Sequence, residues 1–415
     1  MQPDKKGDRK LGYLNDRPLR ILAADDSAVM RSVLWKLFLM HAQDKASDLP
    51  WMELCGIARD GVECLEQIRQ LSPDVLVLDL EMPRMNGLDV LDRLRVENPG
   101  LPVIMCSAHT EHGARSTLEA LARGASDYVM KPSEQRDIAA AMQSLSHQLL
   151  PRIAVLAKDA RGIGKAERGN ARESLQKARI TEAPAEASSP IEVVVIGLST
   201  GGPSALEQLL PKLPKDFPVP VLIVQHMPKL FTGALAERLD KCCALRVEQA
   251  YDNAAIRPGT VWLAPGDAHM EVAPPHVLER DRVEGHCSRV KLHQQEPLNH
   301  CRPSVDYLFF SAARMYGAGA LALVMTGMGA DGLNGARAVH EGGGVVLAQD
   351  EATSAVWGMP GRVSEAGIAS ATLPLWGIAS ALRQRVGAGR TTRLDGLTGT
   401  VSATAPRREM TYGLL

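Results

Sequence analysis

The chain has 415 residues, 45% of them hydrophobic, which is enough for more than one packed core and predicts two or three domains. Lysine plus arginine number 47 against 48 aspartate plus glutamate, so no bulk charge draws the chain to nucleic acid or to an anionic membrane surface. No run of about eighteen apolar residues predicts membrane insertion, and seven cysteines without a C-x-x-C pair read as the reduced thiols of a cytoplasmic protein.

Residues 1–18 read as a disordered N-terminal extension. From 19 to 150, short apolar runs at Ile21–Ala24, Val75–Leu78, Val103–Cys106 and Tyr128–Met130 alternate with helical patterns. The helical patterns fall at Ser27–Met40, Gly61–Leu71, Gly87–Glu97, Ala114–Gly124 and Ser133–Leu149, so a doubly wound domain with a mainly parallel sheet is expected. The stretch His41–Met52 reads as a lengthened loop. Asp25 and Asp26 follow the first strand and Asp79 ends another, which brings three carboxylates to the C-terminal edge of a parallel sheet, where ligand sites form. Clustered carboxylates repel unless a cation joins them, and hard oxygen donors select Mg²⁺. Ser107 and Lys131 end neighbouring strands and add a hydroxyl and an ammonium suited to a phosphoryl group.

Residues 151–190 are rich in Ala, Arg, Lys, Glu and Gly and read as an interdomain linker, spanning on the order of 35 Å as a flexible coil, with a short helix expected at Ala171–Ile180. A second alternating pattern covers 191–388, with strands at Val193–Leu198, Val219–Gln225, Thr260–Ala264, Ala320–Thr326 and Val345–Ala348. Residues 389–415 read as a disordered tail. After the first strand of this half, Gly197, Ser199 and Gly201 fit a G-x-S-x-G elbow that displays a hydroxyl among backbone N–H groups. A glycine turn of this kind serves a hydrolase or a phosphate-binding site about equally.

A serine nucleophile needs a base, and the base needs an orienting group. His226 closes the next strand, and Asp331 lies in the glycine loop Gly327–Gly332 after another. All three are expected at one sheet edge. The chain order Ser, His, Asp differs from that of α/β-hydrolases, although triads are defined by geometry and not by order. Taken singly, Ser199 reads as a helix cap, His226 as a strand-end histidine and Asp331 as a turn former; their joint occurrence favours catalysis. His286-Cys287, His293 and His300-Cys301 match no common zinc spacing, and neither they nor Cys242-Cys243 are assigned a role.

The motifs "DDS", "LDLEMPRMNG", "CSA" and "GASDYVMKP" resemble the receiver domain of two-component response regulators. That resemblance implies a flavodoxin-like fold with Asp79 as phosphoryl acceptor. It also implies Mg²⁺ held by Asp26, Asp79 and the Glu81 main-chain oxygen with Asp25 assisting, and Ser107, Tyr128 and Lys131 as the switch. The motifs "GLSTGG", "QHMP", "APGDAHM", "RPSVDYLF", "TGMGADG" and "AQDEATSAVWGMP" resemble the catalytic domain of chemotaxis protein-glutamate methylesterases, a Rossmann-like three-layer α/β/α fold. The resemblance implies Ser199 as nucleophile, His226 as base and then acid, and Asp331 as orienter. It adds the Met328 backbone N–H with Thr200 as oxyanion support, and no cofactor for ester hydrolysis.

The implied function is phosphorylation-regulated demethylation of glutamate γ-methyl esters, and deamidation of glutamines, on methyl-accepting chemoreceptors for chemotaxis adaptation. A chemotaxis histidine kinase would be the phosphodonor, the receiver would occlude the Ser199 edge, and the protein would be cytoplasmic and recruited to chemoreceptor arrays. The alternative is a response regulator whose output domain binds a nucleotide or partner without catalysis.

Overall fold

A computed structural model describes residues 17–44, 47–132, 138–160, 189–275 and 287–395. The expectations for residues 1–16, for the Ala171–Ile180 helix and for residues 396–415 lie outside the described residues.

The first domain runs β1 (Leu19–Ala24), α1 (Ala28–Gln43), β2 (Met52–Ala58), α2 (Gly61–Leu71), β3 (Val75–Asp79), α3 (Gly87–Glu97), β4 (Val103–Ser107), α4 (Glu111–Ala122), β5 (Asp127–Met130) and α5 (Ile138–Ala160). Its five strands are all parallel in the order β2-β1-β3-β4-β5. Both faces of such a sheet are covered by helices, which is why β3 and β4 are buried at every residue and read as continuous apolar runs. Side chains set the helix starts: Asp60 accepts from the Val62 and Glu63 N–H groups, Asn86 from Asp89 and Thr110 from Gly113.

The second domain runs β6 (Val193–Leu198), α6 (Gly202–Leu209), β7 (Val221–Gln225), α7 (Lys229–Cys242), β8 (Arg246–Gln249), β9 (Thr260–Leu263), β10 (His269–Ala273) and β11 (Arg289–His293). It continues with α8 (Val305–Tyr316), β12 (Ala320–Val324), α9 (Leu333–Glu341), β13 (Val345–Gln349), α10 (Met359–Glu365), β14 (Ala371–Leu373) and α11 (Leu375–Asp395). Seven strands form a parallel sheet in the order β14-β13-β12-β6-β7-β9-β8, and β10 with β11 make a separate antiparallel pair. The two doubly wound domains match the expected fold class. Strands β8, β10 and β11 escaped the sequence reading because polar residues such as Arg246, Glu248, Glu271 and Lys291 break their apolar runs at a sheet edge or in a two-stranded ribbon.

Two boundaries are corrected. Helix α5 continues through Pro151 to Ala160, so the expected linker does not begin at 151. Proline costs a helical hydrogen bond, but Ile153, Ala154, Leu156 and Ala157 are all buried in the turns beyond it, and Arg152 Nη1 donates to the Gln148 carbonyl at 2.7 Å. Helix α11 likewise runs to Asp395, past the expected start of the tail at 389. Leu382 and Val386 anchor it, and an established helix propagates at little cost per residue.

The domains share one apolar core rather than merely touching. Helix α4 packs on α6 and α7, and the Tyr128 ring stacks on Phe231 with centroids 4.7 Å apart and planes 8° from parallel. The C-terminal turns of α5 lie in the same continuous apolar cluster as Val356 and the partly buried Met328.

Candidate active site and acidic pocket

In open parallel sheets, ligands bind where the strand order reverses, because the loops leaving adjacent strands diverge there. In the second sheet that point lies between β6 and β12, and in the first between β1 and β3. Ser199 and the 325–331 loop leave the first of these points, Asp25, Asp26 and Asp79 the second.

At the elbow, Leu198 pairs with Gln225, so Ser199 and His226 leave adjacent strand ends side by side. The buried Gln225 ties them together: its Nε2 donates to the carbonyls of Ser199 at 2.8 Å and of His226 at 3.2 Å. The Ser199 N–H donates to the Thr326 carbonyl at 3.0 Å, and the Thr326 hydroxyl donates to the Thr200 carbonyl at 2.9 Å. Helix α6 follows Gly201, whose φ is 77°; the Gly202 N–H donates back to the Ser199 carbonyl at 2.9 Å, and Pro203 at the next position has no N–H to satisfy. A Cβ on Gly327 would lie 2.8 Å from that of Ser199, so glycine is required for the two loops to close together.

His226 Nε2 lies 2.8 Å from Asp331 Oδ2. Asp331 is buried, and its carboxylate also accepts from the Ser304 hydroxyl at 2.7 Å, Asn299 Nδ2 at 2.8 Å and the Val305 N–H at 2.7 Å. Burial alone would raise the Asp331 pKa, but the hydrogen bond and charge of His226 with Ser304 and Asn299 outweigh it and hold the carboxyl below its ordinary value. Burial opposes the charged form of His226 as well, yet the hydrogen bond it donates to Asp331, aided by Cys301, pushes its pKa up to about 10. With Nε2 committed to Asp331, Nδ1 is the ring nitrogen left for proton transfer.

Met328, expected as an oxyanion donor, sits in the loop facing the elbow, and its N–H makes no hydrogen bond among the described residues. At Thr200, also expected as oxyanion support, the backbone N–H and not the side chain is left for that role. Its hydroxyl donates to Asp127 Oδ2 of the first domain at 2.8 Å, so the side chain is committed to the interface and away from any oxyanion. Asp127 also accepts from Arg152 Nε at 2.9 Å, which links α5, β5 and the serine elbow.

Sequence reasoning missed Gln225, Ser304, Asn299 and Asp127, since no local pattern marks a residue that acts through a distant partner. It also left Cys301 unassigned. Cys301 does not pair with the histidines near it in sequence; its Sγ lies 3.6 Å from His226 Nδ1. His286 lies outside the described residues.

In the first domain, Asp25, Asp26 and Asp79 offer oxygens within 4.8 Å of one another. Lys131 Nζ lies 2.7 Å from Asp79 Oδ2 and 3.0 Å from Asp25 Oδ2. Burial and the Asp25 charge raise Asp79 to about 6 despite Lys131. The pocket therefore holds more negative charge than its lysine neutralises, and the donor set fits a hard divalent cation. Glu81 turns its side chain to solvent, which leaves only its main chain for the expected role. Ser107 and Tyr128 do not meet: the Ser107 hydroxyl donates to the Gly113 carbonyl at 3.2 Å, while Tyr128 faces Phe231.

Because the folded state holds Asp79 above its unfolded value, that group's contribution to stability is present below about pH 4 and is lost as pH rises through about 6. Asp79→Asn is therefore expected to stabilise the protein at pH 8 by about 3 kcal/mol. Mg²⁺ is expected to raise the melting temperature of the parent more than that of the variant. Calorimetry with and without Mg²⁺ checks both, and a lower melting temperature for Asp79→Asn at pH 8 would contradict the assignment of strain to this carboxylate.

Residues 194–382 match the CheB methylesterase family, and residues 21–143 match the response regulator receiver domain. A Trichodesmium erythraeum protein named protein-glutamate methylesterase/protein-glutamine glutaminase is 42% identical over 368 residues, 89% of this chain and 99% of its own length. A protein of the same name from a Nocardioides species is 43% identical over 367 residues, covering 86% and 92%. Another from Thermotoga maritima is 37% identical over 377 residues, covering 90% and 100%. The crystal structure of the Thermotoga maritima CheB methylesterase catalytic domain is 40% identical over 47% of this chain and 98% of that one, with a TM-score of 0.43.

Proposed function

The chain belongs to the protein-glutamate methylesterase/protein-glutamine glutaminase family, and on that premise we propose that it hydrolyses glutamate γ-methyl esters and glutamine amides on chemoreceptors under control of its receiver domain. The observation that carries the reading is the buried, fully hydrogen-bonded Asp331 holding His226 beside the Ser199 elbow. A non-catalytic output domain would give that carboxylate no task.

Ser199 Oγ attacks the ester carbonyl carbon while its proton passes to His226 Nδ1. The tetrahedral oxyanion forms beside the Met328 N–H and the backbone N–H of Thr200, the residue after the nucleophile, which stabilise charge that develops only on the way to the tetrahedral intermediate. Collapse breaks the C–O bond, and His226 returns the proton to the departing methanol. Water then attacks the acyl-enzyme, gives its proton to His226 and frees glutamate and Ser199. Asp331 keeps Nε2 protonated throughout and stabilises the imidazolium. For an amide the same path releases ammonia.

In the receiver, Asp79 is the phosphoryl acceptor. Asp25, Asp26, Asp79 and the Glu81 carbonyl would hold Mg²⁺, which when bound offsets the charge of an incoming phosphoryl group. Lys131 contacts the acceptor directly, and Ser107 ends the neighbouring strand. The phosphodonor is a chemotaxis histidine kinase. Among the described residues no helix is long and apolar enough to cross a membrane, so access to receptors would come through recruitment to their arrays.

A base must be unprotonated to act, so the raised His226 pKa predicts that turnover climbs between pH 7 and about 10. Asp331→Asn removes the group that raises it, and the rising limb should move toward the ordinary histidine range at a much lower plateau. The pH profile of methanol release from a methylated receptor fragment checks this; an unshifted limb in the variant would argue against His226 as base.

The direct test of the whole reading is methanol release from methylated receptor membranes with and without acetyl phosphate. A rate that is measurable, lost in Ser199→Ala and raised by the phosphodonor supports both halves of the proposal.

A further inference from the structure

Cys301 touches the catalytic histidine, and the hydrolytic scheme does not use it. It is half-buried, and reciprocal Leu298–Cys301 backbone bonds at 2.9 and 3.2 Å close the turn that carries it. Asn299 and His300 inside this turn have φ of 54° and 61°. The same turn sends Asn299 to Asp331 and Cys301 to His226.

A Zn²⁺ ion bound tetrahedrally by an imidazole nitrogen at about 2.05 Å and a thiolate at about 2.3 Å sets those two atoms about 3.6 Å apart. His226 Nδ1 and Cys301 Sγ are 3.6 Å apart. A zinc-ligating histidine characteristically donates its other ring N–H to a carboxylate, and His226 Nε2 already faces Asp331 at 2.8 Å. His226, Cys301 and Asp331 have donor atoms mutually within 4.8 Å.

We propose that His226 and Cys301 form an inhibitory binding site for Zn²⁺ at the catalytic centre, with Asp331 as its outer-shell partner. A thiolate and an imidazole are borderline-soft donors, so the site discriminates against the Mg²⁺ that suits the receiver's carboxylates. On binding, the Zn–S bond forms as the thiol proton leaves to solvent, and the Zn–N bond takes the Nδ1 lone pair, displacing any proton there. Water fills the remaining positions, and no electrons are transferred. The ion thereby holds the lone pair that would accept the Ser199 proton, so hydrolysis stops until the metal is withdrawn. The inhibitory consequence rests on His226 being the base; the binding itself does not.

The test uses metal-stripped full-length protein with Mg²⁺ in excess, titrated with Zn²⁺ against a chromophoric chelator. One Zn²⁺ is expected to bind, methanol release to fall about tenfold or more, and a chelator to restore it. Co²⁺ in its place should give a sulfur-to-cobalt charge-transfer band. Cys301→Ser should lose the band, bind Zn²⁺ about tenfold more weakly or worse, and keep turning over in zinc that silences the parent. In the parent, Zn²⁺ should slow alkylation of Cys301 by iodoacetamide to a similar extent, a readout that needs no variant.

The proposal is overturned if the cobalt band is absent, if Cys301→Ser leaves affinity and inhibition unchanged, or if Zn²⁺ binds without slowing turnover. It is overturned equally if binding disappears in a Cys242→Ser, Cys243→Ser double variant, whose thiols lie 4.0 Å apart and offer the competing site. Failure of the hydrolase reading would look different, as absent methanol release from the metal-free protein whatever its zinc affinity.

Discussion

Ser199→Ala is expected to lower methanol release by on the order of 10⁴-fold or more, since without the hydroxyl no acyl-enzyme forms and only the oxyanion donors remain. His226→Ala should cost about as much, and the double variant little more, because members of a triad act as a unit. The backbone around Ser199 is fixed by Thr326 and Gln225, neither of which bonds the Ser199 side chain. The alanine variant should therefore keep the parent's melting temperature and still bind methylated receptor fragments. Loss of turnover with intact binding separates chemistry from folding. Retained turnover would remove Ser199 as nucleophile.

The second large effect concerns the domain interface. Asp127 accepts from Thr200 beside the nucleophile, Tyr128 stacks on the catalytic domain, and the α5 extension shares an apolar cluster with Met328. If the receiver restrains the enzyme, these are the contacts that would favour the closed arrangement, in which the side chain next to Ser199 is held by the receiver. A hydrogen bond to a charged group contributes roughly 1.5–3 kcal/mol, so Asp127→Ala is expected to raise the unphosphorylated rate about tenfold and to shrink the response to acetyl phosphate. Deleting residues 1 to about 185 should raise the basal rate further. A truncated enzyme no faster than the unphosphorylated full-length protein would show that closure does not restrain activity. An Asp127→Ala protein that melts like the parent yet keeps the parent's rate would remove that hydrogen bond from the switch.

Phosphorylation has a route to this interface without any long-range wire. Asp79 shares Lys131 with Asp25, and Lys131 directly follows β5, the strand that carries both Asp127 and Tyr128. On the proposed reading, drawing Lys131 toward a phosphoryl group on Asp79 would shift the end of that strand. Two packings of one interface then differ in population, and the effector needs only to bind one of them better.

The strand-end aspartates, the serine elbow and the chain order of Ser199, His226 and Asp331 were legible in the sequence because each sits at the end of an apolar run. In a parallel sheet, strand ends converge by construction, so local pattern was enough to place these groups at two common edges and to predict both doubly wound domains. Tertiary structure alone decided which side chains serve them. Asp127 reaches Thr200 across 73 positions and Cys301 reaches His226 across 75, separations at which no hydrophobic period carries information. The continuation of α5 past Pro151 was hidden for the same reason: a proline reads locally as a stop, and the burial that overrides it comes from an apolar cluster of distant segments, Val356 and Met328 of the other domain among them. Chain-local chemistry thus determined what the two sites are made of, while packing between distant segments determined how they are oriented, closed and coupled.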